Sequence, residues 1–138
     1  ATDLLPTRWP TSHNRVYLRD MSPSTTVPMR HVSIDPDDAS NPSAVGRAPQ
    51  ISADGSRVLF LSTSKLHDDD TDVGESDVED AYALEIDGTT LRLDFVSSTA
   101  FGFSAPIRQP RLAANGRVAA MIVSTGGPAH VDLFGIEF

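Results

Sequence analysis

The stretch PQISADGSRVLFLST (49–63) returns later in the chain as PRLAANGRVAAMIVST (110–125). Each copy starts on Pro and has an apolar residue two places on. A small–small pair and Asp-Gly or Asn-Gly follow, then Arg-Val and an apolar run closing on Ser-Thr. The offset is about sixty residues. A second correspondence links NRVYLRD (14–20), DAYALEID (80–87) and VDLFGIE (131–137), with Tyr17, Tyr82 and Phe134 in the same place. A chain that repeats itself at this spacing builds its fold from one supersecondary unit used more than once.

The unit is made of strands. RVLFLST (57–63) is a short run rich in strand formers. DAYALEI (80–86) sets Ala81, Ala83 and Glu85 against Tyr82, Leu84 and Ile86. TLRLDFVS (90–97) sets Leu91, Leu93 and Phe95 against Arg92, Asp94 and Val96. Period two over these lengths predicts half-buried strands. Asp54-Gly55 and Asp87-Gly88 supply turns between them. The spacing predicts four strands in a meander, at 49–52, 57–63, 80–86 and 90–97. The best helical candidate, DDASNPSAV (37–45), is broken by Pro42. Ten Pro and nine Gly in 138 residues fit many short strands and turns better than long helices. A repeated unit of four antiparallel strands points to a propeller blade.

PQISADGSRVLFLST resembles the TolB-type, Trp-Asp-repeat-like propeller motif, in which Pro-x-x-Ser-x-Asp-Gly leads into a blade's second strand. The continuation resembles a bacterial exported variant of that repeat. There an Asp-Thr-Asn loop and an Asp-Val-Tyr strand follow; here Asp70-Thr71-Asp72 and Asp80-Ala81-Tyr82 stand in their places. The resemblance covers residues 14 to 138 in pieces. The chain departs from the family pattern in its longer acidic loop, which the second repeat shortens to GGPAH. What the resemblance implies is an exported protein, periplasmic, cell-surface or extracellular. It also implies antiparallel four-stranded propeller-type blades, about two and incomplete at both ends. Within one β domain, 1–138, these are a half blade at 14–35, a complete blade at 48–97 and a three-stranded blade at 107–138. Two blades do not close a ring. The chain is then either part of a longer protein or is completed by partner chains, further copies of itself included. In the second case the N-terminal hairpin of one copy pairs head-to-tail with the open last blade of the next.

Eight acidic residues crowd the thirteen positions from Asp68 to Asp80. With Asp68 as position one, Asp70, Asp72, Gly74, Ser76 and Glu79 fall at three, five, seven, nine and twelve. These are the oxygen-donor offsets of a calcium loop. Position six is Val73 rather than Gly. The expected cofactor is calcium, and the expected ligands are Asp68, Asp70 and Asp72 with Asp77, Glu79 or Asp80 completing the shell. The alternative is a solvated acidic surface loop. Asp35, Asp37 and Asp38 form a second acidic patch, in a turn-rich connection.

Net charge is −8. Phosphate backbones and anionic lipid repel such a chain, so neither nucleic acid nor a membrane surface is an expected partner. No apolar run approaches the length of a membrane span. With no cysteine, disulfides, thiol nucleophiles and thiolate metal sites are all excluded. His13, His31, His67 and His130 lack zinc-type spacing, and there is no Gly-x-Ser-x-Gly elbow. STGGPAH (124–130) lacks the Lys of a phosphate loop. Trp9, Phe101 and Phe103 read as packing residues. The expectation is a noncatalytic structural or protein-interaction module. The alternatives are a carbohydrate- or peptide-binding propeller segment and an accessory domain of a hydrolase.

Overall fold

A computed structural model of the chain describes residues 14–19, 29–34, 45–70, 79–87, 90–96, 107–124 and 131–137. Among them there are nine strands and no helix: β1 (Tyr17–Arg19), β2 (Met29–His31), β3 (Arg47–Ile51), β4 (Arg57–Ser62), β5 (Asp80–Asp87), β6 (Thr90–Phe95), β7 (Ile107–Leu112), β8 (Val118–Ser124) and β9 (Val131–Glu137). The fold is all-β. Three antiparallel sheets follow one another in chain order, β1-β2, β3-β4-β5-β6 and β7-β8-β9. The helical candidate at 37–45 falls almost wholly outside the described residues, as do Trp9, His13, Phe101, Phe103 and His130.

β3 and β7 begin before the prolines at which the sequence pattern starts them. The reason is a bulge. Pairing skips from Arg47↔Leu61 to Gln50↔Leu59 in one sheet and from Arg108↔Ile122 to Arg111↔Ala120 in the other. Pro49 and Pro110 fall inside the skip, where the ladder needs no N–H from them. The residue before each proline takes a left-handed backbone, φ 51° at Ala48 and 50° at Gln109.

These two bulges are one structure repeated at an offset of 61, since 108 − 47 and 122 − 61 are equal. The turns agree. The Ser52 N–H donates to the Arg57 carbonyl at 2.9 Å and the Ala113 N–H to the Val118 carbonyl at 2.8 Å. Gly55 and Gly116 carry φ of 74° and 68°. The Asp54 and Asn115 side chains each accept from the amide two residues on, from Ser56 and Arg117, both at 3.0 Å. The equivalent of Arg57 is therefore Val118, not Arg117. The Arg-Val match is one residue out of step, and a one-residue slip in a strand exchanges its faces.

The aromatic correspondence keeps its place. Phe60 pairs with Tyr82, and Met121, its equivalent, pairs with Phe134. Tyr17 pairs with His31 as Tyr82 pairs with Phe95. Their ring centroids lie 5.2 and 5.3 Å apart, tilted by 33° and 39°.

The sheets pack face to face. One face of the central sheet presents Val58, Phe60, Tyr82, Leu84 and Leu93 to Val16 and Val32 around the first hairpin. The other presents Leu59, Leu61, Ala81 and Ala83 to Ile107, Ala119 and Met121 of the third sheet. β4 is thus buried on both faces along its whole length, and most of β5 with it. The alternation was right about sides. β5 is nonetheless mostly buried, because each of its faces has its own neighbour, whereas β6 keeps the expected half-burial.

Polar side chains lock the second junction. Gln50 donates from Nε2 to the Pro110 carbonyl and accepts from the Leu112 N–H at 2.7 Å. Arg57 donates from Nη1 to the Gly116 carbonyl at 3.0 Å and lies 3.6 Å from Glu85. The Ala53 N–H donates to the Ala114 carbonyl at 2.8 Å. One contact recurs at both junctions: the Gly46 N–H donates to the Asn14 carbonyl at 2.9 Å, and the Ile107 N–H to the Glu79 carbonyl at 3.2 Å.

Candidate cation loop and inter-sheet cleft

The acidic loop leaves β4 through a serine latch. Ser62 Oγ donates to the Val45 carbonyl at 2.6 Å, and the Val45 N–H donates to Ser64 Oγ at 3.0 Å. The Ser64 N–H also donates to Ser62 Oγ at 2.9 Å, a local side-chain bond that competes with the ladder where the strand ends. Two residues on, Leu66 drops into the core beside Phe60 and Tyr82.

Asp70 is drawn inward. The residue is 4% exposed, and its Oδ2 accepts from the Tyr82 hydroxyl at 2.6 Å. The Ser64 carbonyl lies 3.2 Å from the same hydroxyl. The single phenolic proton goes to the carboxylate, the shorter contact and the charged one. Burial, the hydrogen bond to Asp70, and the charges of Asp70 and Asp80 push the Tyr82 hydroxyl well up, so it stays a neutral donor. Asp80, at the head of β5, is also buried, at 7% exposed. Two largely buried carboxylates therefore act on one phenol.

The other expected ligands are arranged differently. Asp68 and Asp69 face solvent. The Asp69 N–H donates to His67 Nδ1 at 3.1 Å, and the His67 ring stacks on Phe95 at 6.3 Å. Glu79 is ion-paired with Arg47. Asp72 and Asp77 lie outside the described residues. Among the described residues no three His, Asp or Glu side chains gather where they could hold one ion. What the structure brings together is the pair Asp70 and Asp80, around Tyr82.

Asp54-Gly55 forms the expected turn; Gly88 of the expected Asp87-Gly88 turn lies outside the described residues. Asp54 Oδ1 accepts from Ser52 Oγ at 2.6 Å and from Ser56 Oγ at 2.8 Å. With the Ser56 amide, these donors lower its carboxyl to about 2.

A cleft of about 320 Å³ opens between β3 and β7, lined by Arg47, Ala48, Leu61, Ile107, Gln109 and Arg111. Both left-handed residues border it. The bulges that create it were invisible in the sequence; the one signal was a proline at the same place in each repeat.

Among the described residues no helix is long and apolar enough to cross a membrane. The chain matches no family model, no curated protein and no solved structure.

Proposed function

We propose that this chain is a noncatalytic, exported module of β-propeller type. It serves as a structural or protein-interaction part, and calcium stabilises the loop that follows β4. The observation that carries the reading is the succession of antiparallel sheets in which bulge, turn and pairing recur at one offset. A TolB-type relationship accounts for that succession and for its sequence pattern. Stacked sheets of this kind offer broad faces and loop ends to partners, and a chain of net charge −8 favours basic surfaces and cations.

The calcium reading is supported by Asp70 and Asp80. Both are buried carboxylates whose charges act on the Tyr82 hydroxyl, and hard oxygen donors of this kind suit a calcium ion. Asp68, Asp72, Asp77 and Glu79 stand within the same loop to complete an oxygen shell. Glu79 would have to leave Arg47 to take part.

Thermal unfolding with saturating calcium and with excess EDTA tests this reading. At a hundredfold excess over Kd, calcium adds about 2.7 kcal/mol, or about 10 °C in Tm for a domain of this size. Asp70→Asn removes the calcium-dependent part, while Asp87→Asn, on the exposed end of β5, keeps it. An equal midpoint with and without calcium removes the cation from the account.

One observation favours a second reading, a peptide-binding segment. Arg111 borders a cleft of side-chain size with Leu61 and Ile107 in its wall, suited to an acidic residue of a peptide, while Arg47 on the other side is ion-paired with Glu79.

A further inference from the structure

Two large apolar side chains stand out as exposed among the described residues, Ile51 at 53% and Val118 at 41%. The offset of 61 explains both. The equivalent of Ile51 is Leu112, paired with Ala119 as Ile51 is paired with Val58. Leu112 is packed against the central sheet, within the cluster around Leu59, Leu61 and Met121. The equivalent of Val118 is Arg57, which is 9% exposed because the third sheet covers it, with its guanidinium on the Gly116 carbonyl. Ile51 thus occupies the position that a preceding sheet covers in the next repeat. Val118 occupies the position that a following sheet covers in the repeat before. They are the two halves of one contact, and this molecule makes that contact once, between β3-β4-β5-β6 and β7-β8-β9.

We infer that the face of β7 and β8 bearing Val118, Ala120 and Ile122 docks on the face of β3 and β4 bearing Ile51 in a second copy of this chain. The inference rests on the propeller-type reading and deepens it by naming the surfaces. It continues an interface already present in the fold. Leu59 and Leu61, the equivalents of Ala120 and Ile122, are the residues on which the third sheet packs. Ala120 and Ile122 remain half-exposed. In the docked seat β9 takes the place that β1 holds over the second copy's central sheet. β1 and β2 share three residue pairs, whereas β8 and β9 share seven. The shorter pairing gives way, and β2 joins β9 as the fourth strand of a shared sheet. The contact is heterologous, so it extends to a ring or a filament.

Mixing two variants tests it. Wild type, Ile51→Asp and Val118→Asp are compared by sedimentation equilibrium from micromolar to near-millimolar concentration. Salt is held at about 0.15 M, where the Debye length is about 8 Å and repulsion between copies of a −8 chain is short-ranged. Wild type is expected to form oligomers. Each variant alone is expected to be a monomer with a wild-type circular-dichroism spectrum. An equimolar mixture is expected to give a dimer and nothing larger, because one intact Val118 face meets one intact Ile51 face. A monomeric wild type overturns the proposal, as does a mixture that stays monomeric. An association lost in Val118→Asp but kept in Ile51→Asp also overturns it, since that is a symmetric contact. Cross-strand contacts measured on the same samples keep the two ideas apart. A monomer with the equivalent pairings at offset 61 ends the docking but leaves the propeller-type reading standing.

Discussion

At the residue scale the junctions depend on polar groups whose roles are set by what covers them. Ser33 is fully buried; it accepts from the Val16 N–H at 3.0 Å and lies 3.0 Å from His31 Nε2. Burial and the neighbouring Arg15 guanidinium push His31 below its ordinary 6.5. As pH falls through 6.5, the unfolded chain takes up a proton at this position and the native chain does not. The unfolded state then binds more protons, so stability drops as pH drops, until the native imidazole protonates at its own lower value. Urea unfolding at about pH 7.5 and about pH 5.5 will show wild type losing more stability than His31→Gln over that interval. An identical loss in both would remove His31 from the account. The sequence indicated a histidine without metal spacing, and nothing in it announced a buried serine beside that ring. The Asp70–Tyr82 bond was hidden for the same reason: it spans twelve residues, and strand periodicity says nothing about where a loop folds back.

At the scale of elements, the strands were legible and their register was not. Alternation in 80–86 and 90–97 assigned each side chain to its side, and the clusters on the two faces agree. The Arg-Val match misled because it aligned a junction residue with an exposed one. Arg57 is buried under the next sheet, while Arg117 is exposed at the turn. Chemical identity outweighed position in the alignment; hydrogen bonding decides the other way. The bulges at Ala48 and Gln109 were hidden too, since neither residue type is one that favours a left-handed backbone. Element packing also assigns a role to Gly46. A methyl group there would stand 2.5 Å from Ser33 Cβ and 3.0 Å from Val16 Cγ2. Ile107 makes the equivalent hydrogen bond with a full side chain, so close approach, not backbone conformation, requires the glycine. Gly46→Ala will lower the unfolding free energy in urea by about 1–3 kcal/mol, the usual cost of overpacking. Gly46→Ala combined with Ser33→Gly will lose less than the sum of the two single changes, since each relieves the other. Strict additivity would mean that the two sheets do not meet there.

At the scale of the whole molecule, three sheets stand in chain order, and each is packed against the next through the same kinds of position. That arrangement was readable in outline, because the repeat and its turn residues are printed in the chain. The burial of β4 on both faces was not readable, since it belongs to the stack rather than to any one strand. The acidic loop is the part least determined by the repeat, which fits its absence from the second copy. In the whole molecule the two hairpins β3-β4 and β7-β8 are one unit used twice at an offset of 61. Cross-strand nuclear Overhauser contacts between backbone protons measure this directly. The prediction is Ile51 opposite Val58 and, in the same pattern, Leu112 opposite Ala119. Leu112 opposite Val118 would put the second hairpin in the register of the Arg-Val match, and would contradict the account.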